Sequence, residues 1–116
     1  MSPEPLHPDR IYHITTRDAW QMAQGIGRYE APSLATEGFI HCSYAHQVPE
    51  TAVLYYQGQA GLLLLEIQPG YLSAPLKHEP SRQGQNFPHL YGALNLDAVA
   101  RTLSITANGE VLKNST

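Results

Sequence analysis

Glu37-Gly38-Phe39-Ile40-His41-Cys42-Ser43 sets a glycine turn ahead of a short apolar strand that ends in polar residues. Side chains alternate along a strand, so Phe39, His41 and Ser43 share one face while Ile40 and Cys42 share the other. A second stretch, Ile11-Tyr12-His13-Ile14-Thr15, repeats the arrangement, with Ile11, His13 and Thr15 on one face and Tyr12 and Ile14 on the other. Each strand therefore carries a histidine and, two residues on, a hydroxyl on the same face. With the two strands close together, His13 and His41 line one cleft on one face of a mainly antiparallel sheet. The competing reading is of two ordinary half-buried histidines hydrogen-bonded to backbone.

Upstream, Met1 to Asp9 holds three prolines and no periodic pattern, which reads as an extended lead-in that packs little, with order beginning near Arg10. After the first strand, Thr15 stands three residues before Asp18, a capping-box spacing for a helix from about Arg17 to Gln24. Ala19, Trp20, Ala23 and Met22 supply its apolar stripe, and Gly25 with Gly27 ends it. Arg28 to Ala31 alternates as a short strand does, and Ser33 to Glu37 reads as a loop or one helical turn.

Downstream of Ser43, Val48, Ala52, Tyr55 and Tyr56 predict a helix reaching Gln57, with Pro49 in its first turn. Leu62 to Ile67 is a continuous apolar run and reads as a buried central strand. Pro75 to Glu79 is a further strand, and Glu79 to Asn86, with no large apolar residue, a mobile surface loop. Phe87-Pro88-His89-Leu90-Tyr91-Gly92 is a strand presenting His89 and Tyr91 together. Ala100 to Ile105 is another, and Asn108-Gly109 turns into a short last strand. The expected fold is α+β: one domain over residues 10–113, mainly antiparallel sheet with two helices, followed by a tail at 114–116.

At 116 residues with 42% hydrophobic and 15% charged side chains, the chain can bury one modest core. Seven Lys and Arg against ten Asp and Glu, with no basic run, lack the footprint of phosphate-backbone binding, so long nucleic acid is a poor partner. The single cysteine, Cys42, leaves no intramolecular disulfide and no multi-cysteine zinc motif, and its position on the core face makes it an inert thiol. There is no secretory-type start, and the longest apolar run, Leu62 to Leu65, is too short to span a bilayer. A cytoplasmic protein without membrane association is the expectation, its oligomeric state open. No HExxH and no histidine pair at helical spacing is present, so no metal is expected. GxSxG is absent, and neither Gly25-Ile26-Gly27 nor Gly58-Gln59-Ala60-Gly61 fits a dinucleotide fingerprint or phosphate loop.

What remains is a pocket of imidazoles, hydroxyls and tyrosines, suited to ribose and amide groups and to stacking on a flat ring. Ile11-Tyr12-His13-Ile14-Thr15, Gly38-Phe39-Ile40-His41-Cys42-Ser43 and Phe87-Pro88-His89-Leu90-Tyr91-Gly92 together resemble the signature of a bacterial family known as domain of unknown function 952. The resemblance runs from about Arg10 to Leu103. That family in turn resembles, more distantly, the ADP-ribosyltransferase-like fold, which includes RNA 2′-phosphotransferases that consume NAD. By that resemblance His13 matches a first-strand histidine that hydrogen-bonds the adenosine ribose, and Thr15 the hydroxyl after it. His41 and Ser43 match the second histidine and the serine of the phosphotransferase motif. That motif's arginine and first histidine fall on Glu37 and Phe39 here, and no residue matches the glutamate that many transferases set against the nicotinamide ribose. These departures weigh against RNA 2′-phosphotransfer.

The resemblance implies NAD as a substrate, with no covalently bound cofactor, and cleavage of the nicotinamide–ribose bond through an oxocarbenium-like state. His41 and Glu79, the nearest carboxylate, are then the catalytic candidates; His13, Thr15, His41, Ser43, His89 and Tyr91 are the ligand-binding ones. Two alternatives stand beside this: a non-catalytic module holding a nucleotide-like or other small ligand, and a structural domain whose histidines satisfy only their own hydrogen bonds. A Glu79 carboxylate inside the His13/His41 cleft favours catalysis, and one outside it favours binding. The lack of any concave pocket beside the histidines favours the structural reading.

Overall fold

The computed structural model describes residues 4–112. Met1, and the tail expected at 114–116, lie outside that range. Along the chain run β1 (Ile11–Thr16), α1 (Arg17–Ile26), β2 (Arg28–Tyr29), α2 (Pro32–Glu37), β3 (Ile40–His41), β4 (Ser43–Tyr44) and α3 (Val48–Tyr55). There follow β5 (Leu62–Ile67), β6 (Leu76–Pro80), β7 (Asn86–Leu90), β8 (Leu94–Asn95), β9 (Val99–Ile105) and β10 (Val111–Leu112). Every strand pairing is antiparallel. Five strands form one sheet in the order β10-β9-β5-β1-β4, three form a second in the order β3-β7-β6, and β2 pairs with β8.

The apolar run of β5 is buried at all six positions because it sits mid-sheet with a core on each side. Tyr12, Ile14, Leu64 and Leu103 face Val48 and Ala52 of α3. On the opposite side Ile11, Leu65 and Ile67 meet Ala23 of α1 together with Ile40, Leu90 and Leu94. Each fully buried aliphatic side chain contributes about 1.5–3 kcal/mol, so these two layers dominate the stability. Glu66 lies within the same strand yet is fully buried. Its cross-strand neighbours explain this: Tyr12 and Arg101 stand directly opposite. The carboxylate accepts from Tyr12 Oη at 2.7 Å, Arg10 Nη1 at 2.6 Å and Arg101 Nε at 3.0 Å. Burial alone pushes this carboxyl up, but the hydrogen bonds from Arg101, Tyr12 and Arg10 outweigh it and hold it below its ordinary value.

Four local expectations need correcting. A third helix, α2, replaces the loop or single turn expected at Ser33 to Glu37, because Pro32 starts it and Gly38, at φ 89°, closes it in the left-handed conformation. The cap of α1 is Thr16, whose side chain accepts from Ala19 N, because β1 runs one residue longer than its alternation indicates. The lead-in also packs: Glu4 N donates to Val111 O at 2.9 Å, Arg101 binds the Glu4 carboxylate at 2.7 Å, and Leu6 rests on the α3-side core. Finally, the strand expected to end at Glu79 runs on to Pro80, and the loop expected from Glu79 to Asn86 shrinks to the short turn between β6 and β7, tied by Ser81 N to Gln85 O at 2.8 Å.

Among the described residues no helix is long and apolar enough to cross a membrane. The Asn108-Gly109 turn joins β9 to β10 as expected, with Gly109 at φ 87° and donating to Thr106 O.

Candidate ligand-binding cavity

The stretch around His41 is where the two larger sheets part. Ile40 and His41 pair with Leu90 and His89 of β7, whereas Ser43 and Tyr44 pair with Tyr12 and Ile11 of β1. Cys42 is the crossing point, its N–H donating to Pro88 O at 3.0 Å. One expected strand is thus two short ones, each in a different sheet. Because β4 pairs with β1 over just two residues, the edge of β1 from His13 onward is left open. A cavity of about 770 Å³ occupies that opening, and His13, Thr15, His41 and Ser43 all line it. A concave site therefore does stand beside both histidines.

His13 fastens the opening. Its Nδ1 lies 2.6 Å from the main-chain oxygen of His41 and its Nε2 lies 2.8 Å from Tyr29 Oη. A carbonyl can only accept, so the proton sits on Nδ1. Burial drives the imidazole pKa down to about 4, which leaves Nε2 unprotonated at neutral pH. Tyr29 then donates to Nε2, and Thr15 Oγ1 lies 3.1 Å from the same phenol oxygen. Both ring nitrogens are thus occupied within the protein, and the groups facing the cavity from this network are hydroxyls. Tyr56, donating to Ile14 O at 3.2 Å, covers another open carbonyl of the β1 edge.

The remaining candidates form a separate cluster. The His41 side chain, 48% exposed, pairs with Glu37 at 3.0 Å. Its ring meets Phe39 and His89 edge-on, with centroids 4.8 and 5.5 Å away, and Phe39 stacks on His89 at 4.1 Å. His89 Nδ1 donates to Glu79 Oε1 at 2.9 Å and Tyr91 Oη donates to the same oxygen at 2.6 Å. Those two bonds, Tyr91's the larger influence, hold the Glu79 carboxyl below its ordinary value. Lys77, Glu79, Phe87 and His89 share one face of the β6/β7 pair by register, which explains why they meet. Glu79, His89 and Tyr91 do not line the cavity, whereas His41 and Phe87 do.

Residues 14–102 match the family described as Protein of unknown function (DUF952). The chain belongs to that family. The crystal structure of protein CC0527 from Caulobacter crescentus, a structural-genomics target, is similar at 40% identity, covering 88% of this chain and 92% of that one with a TM-score of 0.78. A crystal structure of a double mutant of CC0527 gives 39% identity, the same coverage and a TM-score of 0.77. The solution NMR structure of CC0527 gives 40% identity over 88% and 90% of the two chains with a TM-score of 0.73. No curated protein matches the chain.

Other residues around the DUF952 cavity were not legible as site residues. Tyr29 stood in a nondescript short strand, and its role depends on reaching His13 across the fold. Thr51 and Arg82, both lining the cavity, come from α3 and from the β6/β7 turn. An arginine in a polar loop reads as solvated, yet the Arg82 side chain is only 13% exposed. Cys42 does lie on the core side, its thiol pushed up to about 12 by burial, so it contributes no nucleophile. Among the described residues no three metal-ligating side chains cluster.

Proposed function

We propose that this DUF952 protein is a small-molecule binding domain whose cavity takes an NAD- or ADP-ribose-type ligand. The observation that carries the reading is the uncharged, hydroxyl-bearing floor at the parting of the sheets, where Thr15 and Tyr29 gather around a neutral, fully bonded His13 and Ser43 lines the same cavity. Vicinal ribose hydroxyls suit such a floor, because each can both donate and accept. Tyr55, Tyr56 and Phe87 in the walls offer flat apolar surfaces for a base. The volume falls within the roughly 300–1,000 Å³ of small-molecule sites. The distant resemblance of the family motifs to the ADP-ribosyltransferase-like fold supports the same ligand class, as an analogy of fold.

Binding is favoured over transfer by the position of Glu79. Its carboxylate is engaged by His89 and Tyr91 outside the cavity. Glu30 is the one carboxylate among the described residues lining the cavity, and it faces Arg28 at 3.5 Å. Neither stands ready to support an oxocarbenium-like state. Calorimetric titration with ADP-ribose and NAD, paired with an assay for released nicotinamide, tests the reading. Saturable binding without release is the expected result. At a ligand concentration about 100 times Kd the fold should gain about 2.7 kcal/mol. No heat and no melting shift with millimolar ADP-ribose, NAD or adenosine would reject the proposal; steady nicotinamide release would replace binding with transfer.

A further inference from the structure

We infer that Arg82 is the anion seat of the cavity and receives the phosphate groups of the ligand. This rests on the reading of the cavity as a ligand site and adds a class of group to it. Arg82 enters the wall from the turn between β6 and β7, which reverses tightly because Gln83 and Gly84 both take left-handed conformations, at φ 56° and 75°. The guanidinium carbon lies 4.8 Å from the Phe87 ring centre and 5.6 Å from that of Tyr55, so two aromatic faces fix its plane.

The cation is buried more completely than it is paired. Its side chain is 13% exposed, while its one ion-pair partner among the described residues, Glu50, 3.1 Å from Nη2, is 57% exposed and keeps most of its contact with water. The same Nη2 reaches Thr51 Oγ1 at 3.4 Å, and Thr51 is 3.3 Å from Ser43 Oγ, which continues a polar track along the cavity wall. Arg82 Nε is buried and has no acceptor among the described residues. A desolvated guanidinium with an idle N–H is costly unless something completes it, and almost all buried donors in folded proteins are satisfied. Phosphate oxygens match the planar, permanently charged guanidinium, and Arg82 lines the cavity. The seat stands with the hydroxyl groups of Ser43 and Thr51 around one cavity, an arrangement that suits a nucleoside diphosphate better than a neutral nucleoside.

The test is calorimetry at low and moderate salt with ADP-ribose, adenosine and inorganic pyrophosphate on wild type, Arg82→Gln and Glu50→Gln, each checked by thermal melt. Arg82→Gln should bind ADP-ribose about 10- to 100-fold more weakly and lose most of the salt dependence, while adenosine affinity stays within about twofold. Glu50→Gln removes the competing carboxylate at an exposed position and should tighten ADP-ribose binding about two- to fivefold, a readout that holds even if Arg82→Gln fails to fold. If ADP-ribose and adenosine bind wild type and Arg82→Gln alike, or Glu50→Gln changes nothing, the anion seat is wrong and the nucleotide reading stands. If pyrophosphate binds wild type but not Arg82→Gln, and ADP-ribose binds no better than pyrophosphate, the seat stands and the nucleotide reading falls. Absence of binding by all three probes rejects both.

Discussion

Lowering the pH from 7 to 5 should strip about 2 kcal/mol from the stability of the wild-type fold through His13 alone. In the folded chain this imidazole takes a proton only at about pH 4, because burial disfavours the charged form by more than the opposing hydrogen bond from Nδ1 to the His41 carbonyl favours it. In the unfolded chain the proton binds near pH 6.5. Between those values the unfolded state carries more protons, so stability falls as the pH falls from about 6.5 toward 4. The full loss below that window is on the order of 3 kcal/mol. Urea denaturation at pH 5, 6 and 7, followed by the fluorescence of the single tryptophan, Trp20, measures it. His13→Gln supplies the control. It should be less stable than wild type at pH 7 by about 1–3 kcal/mol, having disturbed two buried hydrogen bonds, and the gap should narrow toward pH 5. Equal pH slopes in the two proteins would refute the neutral, buried imidazole. A gap that widens toward pH 5 would mean that the fold holds an imidazolium donating from both nitrogens.

Glu66→Ala removes a fully buried carboxylate from between Arg10, Tyr12 and Arg101 and should cost about 3–5 kcal/mol by urea denaturation; a loss under about 1 kcal/mol would show the network to be marginal. Since the folded Glu66 carboxyl titrates below its ordinary value, its contribution is present at neutral pH and is lost as the pH falls through the acid range, below the His13 window. Gly109→Ala places a Cβ 2.7 Å from Pro49 O at φ 87° and should destabilise by about 1–3 kcal/mol, and an unchanged melting midpoint would contradict it. His41→Ala should alter stability by less than about 1 kcal/mol, because the half-exposed ring is lost while the main-chain oxygen that anchors His13 remains. The same variant should weaken ADP-ribose by about 1–3 kcal/mol, and a strongly destabilised His41→Ala with normal binding would remove His41 from the site.

The sequence by itself determined the elements whose signal is periodic or compositional. The buried β5, the two-sided alternation of β1, the Asn108-Gly109 hairpin and the family motifs follow from spacing that survives into the fold, since each depends on neighbours along the chain; of the stripe expected on α1, Ala23 is buried and Ala19 and Trp20 pack on the core, but Met22 is 67% exposed. His89 and Tyr91 were expected together on one strand; β7 ends at Leu90, one residue short of Tyr91, and what joins the two is their shared acceptor, Glu79 Oε1. Tertiary structure decided the rest. Alternation along residues 39–43 gives faces but not partners, and the partners change at Cys42, where one strand passes from β7 to β1 and opens the cavity. His13 read alone could have been a free ligand-binding group; the phenol of Tyr29 and the carbonyl of His41, brought in from distant positions, occupy both its nitrogens. Glu79 was near the site in sequence reasoning and turned away from the cavity because the register of β6 on β7 sets it among His89 and Tyr91. Arg82 carried no signal in the sequence for the same physical reason: its desolvation and its one unmatched N–H are properties of the surroundings that Phe87 and Tyr55 create, and a single chain position carries no record of them.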